Sequence, residues 1–206
     1  MNSAPRGLWP DYPIRTQRLD LRPHRPADLE DILAFHSRPD VVRFIPWPVR
    51  DRKQTATALK TKLGQSALTE PGQWLVLAVE LRESTTVIGE VLLKWASAID
   101  RQGELGFALH SAYHGRGLGA EAATAVLSLG FDQLGLHRIQ AVCLIDNIKS
   151  ARLLERLGMR LEGHLVHSVW FKGGWEDQLV YAMCEDEWRD MKGRQPTGEV
   201  KVPTRS

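Results

Sequence analysis

Residues 111–127, "SAYHGRGLGAEAATAVL", place glycine at positions 115, 117 and 119, directly before a run of alanine, valine and leucine. Glycine costs a helix roughly 1 kcal/mol per residue relative to alanine, so a cluster of them at the entrance to a helix calls for a compensating gain. A helix N-terminus presents unpaired N–H groups and the positive end of the helix dipole. A loop without Cβ atoms leading into that terminus lets a phosphate rest directly on the amides. A tight turn that merely requires positive φ is satisfied by one glycine. The repeated glycines favour an anion cradle, with Arg116 adding a cation at its rim.

The kind of phosphate ligand is narrowed by what surrounds the loop. No Gly-Lys-Ser/Thr follows, which excludes a Walker loop. Residues 117–122, "GLGAEA", match the dinucleotide fingerprint G-x-G-x-x-A. The following strand ends in "CLIDN", with Asp146 too far along to bind a ribose, and the remaining chain is short for a dinucleotide fold. A nucleotide-dependent oxidoreductase is the weaker alternative on these grounds.

At 206 residues, with 43% hydrophobic and 25% charged side chains, the chain suits one globular domain. Its formal net charge of +2 argues against a nucleic-acid or membrane-surface partner. Apolar stretches such as 74–79 are far too short to span a bilayer. The opening "MNSAPRGLWPDYP" lacks the apolar run of a secretory signal. Cys143 and Cys184, both within apolar stretches, read as buried free thiols rather than a disulfide. Together these features predict a cytoplasmic protein.

Periodicity organises the rest. Strands are predicted at 18–23, 73–81, 86–96, 103–110 and 137–144, then over "RLEGHLVHSVWF" and "EDQLVYAMC", which turn at Gly173-Gly174. Helices are predicted over 27–37, from a cap at Asp51 through Ala67, over 117–134, and over 150–157 with a stop at Gly158. This order gives a mixed sheet with helices on its faces, an α/β (α+β) domain over 14–192. Residues 1–13 read as a flexible lead-in and 193–206 as a polar tail.

These motifs, in order, resemble the GNAT superfamily of acyl-CoA N-acyltransferases. The superfamily's pyrophosphate loop is Gln/Arg-x-x-Gly-x-Gly/Ala at the start of a central helix; "HGRGLG" (114–119) fits it, with His114 where Gln or Arg is usual. "DNIKSARLLERLGMRLEGHL" (146–165) resembles the Asn-x-x-Ser…Leu-Gly-Phe…Glu-Gly signature of the branch containing the ribosomal-protein alanine and serine N-acetyltransferases. "GGWEDQLVYAMCEDEWRD" (173–190) resembles that branch's closing strand and terminal helix, and "RTQRLDLRP" (15–23) its opening strand.

The resemblance implies a mostly antiparallel sheet whose two central strands splay into a V. It implies acetyl-CoA as acyl donor, its pantetheine arm along the backbone of Phe107, Ala108 and Leu109. The pyrophosphate would rest on Gly115, Arg116, Gly117, Leu118, Gly119 and Ala120, beside His114. Asn147 matches the position that contacts the pantetheine, and Ser150 the serine near the thioester sulfur. The implied partners are acetyl-CoA and an amine acceptor, either a protein N-terminus or a small amine, with no metal. The apolar late strands are compatible with a homodimer.

The implied reaction is direct attack of a neutral amine on the thioester. At about pH 7.4 an α-amine of pKa near 7.8 is about a quarter neutral, whereas a lysine near 10.4 is neutral in about one part per thousand. A weakly assisted site therefore suits a low-pKa amine. Many superfamily members supply an acid from a tyrosine seven residues after the asparagine; here that position is Leu154. Ser150 is the substitute, stabilising sulfur by a hydrogen bond, unless it merely caps the helix. Loss of the tyrosine also leaves open a catalytically weak acyl-CoA-binding domain. Glu104 on the central strand is the expected base, unless it is a carboxylate paired within the sheet, with His110 and His167 as alternatives.

Other candidates carry less. Glu162 and Asp177 match family positions of structural or substrate-orienting character, and Glu121 complements the helix dipole. His164 and His167 are expected on opposite strand faces, which disfavours a metal pair. The tryptophans 47, 74, 95, 170, 175 and 188 read as core or interface anchors before groove lining. "RFIPWPVRD" (43–51), a proline-locked loop with two aromatics, is where the acceptor pocket is expected.

Overall fold

The computed structural model describes residues 7–194. Among these residues eight strands form one sheet: β1 (Ile14–Arg15), β2 (Leu19–Pro23), β3 (Trp74–Leu81), β4 (Val87–Ser97), β5 (Gln102–Leu109), β6 (Arg138–Leu144), β7 (Arg160–Phe171) and β8 (Gly174–Cys184). Their spatial order is β1-β2-β3-β4-β5-β6-β8-β7. Every neighbouring pair is antiparallel except β5 and β6.

The β5–β6 pair is where the sheet opens. Its register covers only Gln102↔Arg138, Gly103↔Ile139 and Glu104↔Gln140. Beyond Glu104 each strand keeps its outer partner, β5 with β4 as far as Leu109↔Gly89 and β6 with β8 as far as Leu144↔Gln178. The two halves therefore stay intact while separating from each other, and among the described residues the inner backbone edge of β5 from Leu105 onward has no strand against it. This is the expected V.

Among the described residues six α-helices cover the sheet: α1 (Leu29–His36), α2 (Pro39–Val42), α3 (Arg52–Lys62), α4 (Leu118–Ser128), α5 (Ile148–Arg156) and α6 (Glu185–Arg194). On one face, Leu118, Ala122, Ala123, Val126 and Leu127 of α4 bury against Leu19, Leu21, Leu77, Val91, Leu93 and Leu105. Each large side chain so buried contributes about 1.5–3 kcal/mol relative to exposure. On the opposite face α1 and α3 enclose a smaller apolar cluster of Ile32, Phe35, Val41 and Leu59.

Several local expectations are adjusted. Asp51 caps α3 through a hydrogen bond from the Gln54 N–H of 2.8 Å, but that helix ends at Lys62. The helix expected to reach residue 134 stops at Ser128 and continues as one wide turn, Leu129–Gln133. Gly130 permits that turn to press onto the sheet, since a Cβ there would stand 2.5 Å from the Ile139 side chain. The lead-in is anchored from residue 8: Leu8 exchanges backbone hydrogen bonds of 2.7 and 2.9 Å with Leu68, and both are buried. Of the expected polar tail, 193–194 complete α6 and 195–206 lie outside the described residues. Cys143 is buried, Cys184 half-buried, and both are free.

Candidate active site

The glycine loop leaves the end of β5 through a short turn, Ser111–Tyr113, capped by the His110 Nδ1, which accepts from the Ala112 N–H at 3.1 Å. That use leaves His110 poorly suited as a base, and burial, aided by nearby Arg38, lowers its pKa. The His114 Nε2 donates to the Leu109 carbonyl at 2.9 Å. The carbonyl can only accept, so this fixes the Nε2–H tautomer.

The glycines serve different ends. Gly115 and Gly117 have φ of 74° and 78°, left-handed conformations that a side chain would strain. Gly119 has ordinary helical backbone, and a Cβ there would stand 2.8 Å from the Leu153 Cδ1 of α5. A side chain at position 119 would therefore require the Leu153 methyl to move aside. From Gly115 to Ala120 no backbone N–H donates a hydrogen bond among the described residues; pairing resumes with Glu121 N–H to the Gly117 carbonyl at 3.1 Å. A run of unpaired donors at a helix N-terminus is the chemistry of an anion site.

One contributor from outside the loop carries no sequence signal. Arg18, in the turn between β1 and β2, donates to the Arg116 carbonyl at 2.9 Å and to the Glu121 carboxylate at 2.7 Å. A basic residue after a short strand is too common to be singled out from one sequence.

Across the V, the Asn147 Oδ1 accepts from the Ser150 N–H at 3.2 Å and so caps α5. The cap belongs to Asn147, and the half-buried Ser150 hydroxyl makes no hydrogen bond among the described residues. Leu154, at the position of the superfamily's tyrosine, is buried in the core.

Glu104 stands at the last rung before the strands part, opposite Lys94 on β4 and Gln140 on β6. Strand alternation puts all three on the face away from α4. Its carboxylate has no ion pair or hydrogen bond among the described residues, unlike Glu162, which pairs with Arg138 at 2.6 Å and Arg160 at 2.6 Å. Asp177 is likewise engaged, by the His164 ring at 2.6 Å and the His167 N–H at 2.8 Å. His167 itself has φ of 45° at an irregularity in β7, so strict alternation does not hold there.

Residues 37–51, including the short α2 that periodicity did not reveal, wall off part of the sheet face opposite α4, where Val41 joins the cluster of Ile32, Phe35 and Leu59. Beneath this wall Glu90, fully buried on β4, is paired with Lys62 of α3, with the His24 Nε2 at 3.7 Å and the His36 Nε2 at 4.0 Å. Full burial pushes the Glu90 carboxyl up; the paired Lys62 ammonium overcomes this and holds it below its ordinary value. Burial lowers the His36 pKa to about 4 against the opposing pull of Glu90. Trp47 lies between Arg50 and Lys62, 4.4 and 5.7 Å from its ring centre. The Lys172 ammonium at the tip of the β7–β8 hairpin donates to the Val42 carbonyl and links that hairpin to α2. Trp95 and Trp188 are core residues, whereas Trp170 and Trp175 are exposed and packed edge to face.

A profile of the acetyltransferase (GNAT) domain family matches residues 18–160, from the first long strand through α5. The chain belongs to the GNAT acetyltransferase family. It is 30% identical over 175 residues to the uncharacterized N-acetyltransferase YnaD of Bacillus subtilis (strain 168), covering 85% of this chain and 98% of that one. A shorter match, 32% over 84 residues, covers 41% of this chain and 43% of the ribosomal protein uS5-alanine N-acetyltransferase of Escherichia coli (strain K12). The crystal structure of a GNAT-family acetyltransferase from Bacillus anthracis superposes with a TM-score of 0.76 at 28% identity, over 84% of this chain and 98% of that one. The sheet order and its opening are thus those of a GNAT acetyltransferase. No helix among the described residues is long and apolar enough to cross a membrane.

Proposed function

We propose that this GNAT chain transfers the acetyl group of acetyl-CoA to a primary amine, either the α-amine of a protein N-terminus or a small-molecule amine. The observation that carries the reading is the continuous run of unpaired amides from Gly115 to Ala120 at the top of a parted strand pair. Two negatively charged phosphates match unpaired donors and the positive helix end, and the unpaired edge of β5 matches the amide-bearing pantetheine arm. That arm would run beside Phe107, Ala108 and Leu109, although the Leu109 carbonyl already accepts from His114. His114 would therefore shape the loop's entrance, while Arg116, held over the Tyr113 ring at 5.6 Å, would flank the phosphates.

Acetyl-CoA supplies an activated thioester. Glu104, unpaired at the floor of the V, accepts the proton released as the amine nitrogen bonds to the carbonyl carbon. The Ser150 hydroxyl donates a hydrogen bond to sulfur as the C–S bond breaks. Asn147 holds the first turn of α5, and hence Ser150, in place. The wall at 37–51 selects the acceptor. No tyrosine acid is available, which keeps a low-pKa amine the better substrate.

The buried Leu154 favours one rival, a domain that binds acyl-CoA and transfers slowly or not at all. Thiol release from acetyl-CoA, followed with a panel of peptides, polyamines and aminoglycosides, separates the two. The proposal expects amine-dependent CoA formation that falls in Glu104→Gln with acetyl-CoA affinity retained. Acetyl-CoA binding without CoA formation across the panel would favour the rival.

A further inference from the structure

We propose that Arg18 and Glu121 are positioning residues for the diphosphate of coenzyme A, acting through the peptide bond between Arg116 and Gly117. The inference rests on the phosphate-binding reading of the glycine loop given above.

The loop has no side chains of its own to set its conformation at Gly115 and Gly117, and a glycine backbone is the freest in a chain. In a planar trans peptide the carbonyl of one residue and the N–H of the next point in opposite directions. Whatever holds the Arg116 carbonyl therefore also aims the Gly117 N–H. The Arg18 Nη1 holds that carbonyl at 2.9 Å from the side of the β1–β2 turn. The Gly117 N–H is thereby turned to the other side, where the run of unpaired amides lies. The Arg18 Nη2 would lie 3.5 Å from a Cβ at Gly117, so the guanidinium packs directly behind the loop.

The guanidinium is itself fixed. Its Nε and Nη2 both lie 2.7 Å from the Glu121 Oε2. The Glu121 Oε1 accepts from the Arg18 backbone N–H at 2.7 Å and from the Thr16 hydroxyl at 2.5 Å. The Thr16 oxygen in turn accepts from the Leu19 N–H at 3.0 Å, and Arg82 donates to the Thr16 carbonyl at 3.0 Å. Every acceptor position of the Glu121 carboxylate is thus occupied. A residue serving only the helix dipole would need none of these directed bonds. The Arg18–Glu121 pair joins the first turn of α4 to the opening strands and clamps the carbonyl between them. A bidentate guanidinium combined with a third, differently aimed donor is geometry that lysine cannot reproduce.

The test uses Arg18→Met, Arg18→Lys and Glu121→Gln in the full chain, with thermal unfolding to confirm folding. Each variant is assayed for acetyl-CoA KM and kcat, for competitive inhibition by inorganic pyrophosphate, and for the amide shift of Gly117 without ligand. Loss of one oriented donor to a charged ligand predicts an acetyl-CoA KM raised about tenfold. The kcat at saturation should stay within about twofold, because no interaction confined to the transition state is removed. Arg18→Lys should behave like Arg18→Met, and the Gly117 amide should shift in every variant. Wild-type KM in folded Arg18→Lys would show that charge alone suffices and overturn the proposal, as would an unmoved Gly117 amide. Failure of the wild-type protein to bind acetyl-CoA would instead overturn the underlying functional reading. If Arg18→Met does not fold, Arg18→Lys and Glu121→Gln still decide the matter through the same KM and amide readouts.

Discussion

Leu153 stands where a side chain on Gly119 would have to go, its Cδ1 2.8 Å from the position of a Cβ built there. Gly117, two residues earlier, faces no such obstacle but has a φ of 78°. The two substitutions should therefore fail differently. Gly119→Val overpacks the α4–α5 contact and should cost about 1–3 kcal/mol in urea unfolding. Leu153→Ala in the same chain should restore part of that loss. Gly117→Ala should cost about 1–2 kcal/mol through backbone conformation alone, with no rescue from Leu153→Ala and a larger loss of acetyl-CoA affinity than Gly119→Ala. Equal binding losses at both positions would count against this division.

Ser150 and Asn147 can be separated in the same manner. The helix cap is made by Asn147, so Asn147→Ala should cost about 0.5–2 kcal/mol of stability, while Ser150→Ala should leave thermal unfolding nearly unchanged. If the hydroxyl assists the departing sulfur, Ser150→Ala should lower kcat about tenfold with the acetyl-CoA Kd within about twofold. Rapid-mixing kinetics and titration together read both quantities. Unchanged kcat in Ser150→Ala would remove the hydroxyl from the mechanism.

His36 makes a prediction in pH. Its folded-state pKa is lowered to about 4, first by burial and against the pull of Glu90, with Lys62, Arg50 and His24 also facing it. The unfolded value is about 6.5. Between those limits the unfolded chain binds a proton that the folded chain does not, so stability rises with pH and is lost as pH falls from about 6.5 to about 4. One such proton corresponds to a slope of about 1.4 kcal/mol per pH unit. Urea unfolding at intervals across that range should show a shallower dependence in His36→Gln than in the parent chain. Identical slopes would mean that His36 does not carry the acid sensitivity.

Much of the fold was legible in the residues because it is written locally. Alternation marks Leu19 and Leu21, the cap at Asp51 announces α3, and Lys172-Gly173 turns the late hairpin near where Gly173-Gly174 suggested. The helix entrance at the glycine loop was legible for the same reason, since its unpaired amides are adjacent backbone groups. What escaped depends on partners far apart in the chain. Leu8 is tied to Leu68, Arg18 to Glu121, and Gly119 faces the Leu153 side chain. No local pattern records such pairings. The segment 37–51 is a further case, since its short α2 and the Lys172–Val42 link come from tertiary contact rather than periodicity.

Backbone amides proposed to hold the coenzyme's diphosphate can be watched directly. Titrating isotope-labelled protein with coenzyme A and following amide proton and nitrogen shifts should move Gly115 through Ala120 most, in step and to saturation, with smaller changes along Phe107–Leu109. Saturable binding that leaves those amides unmoved, or no binding at all, would rule out the glycine loop as the diphosphate site.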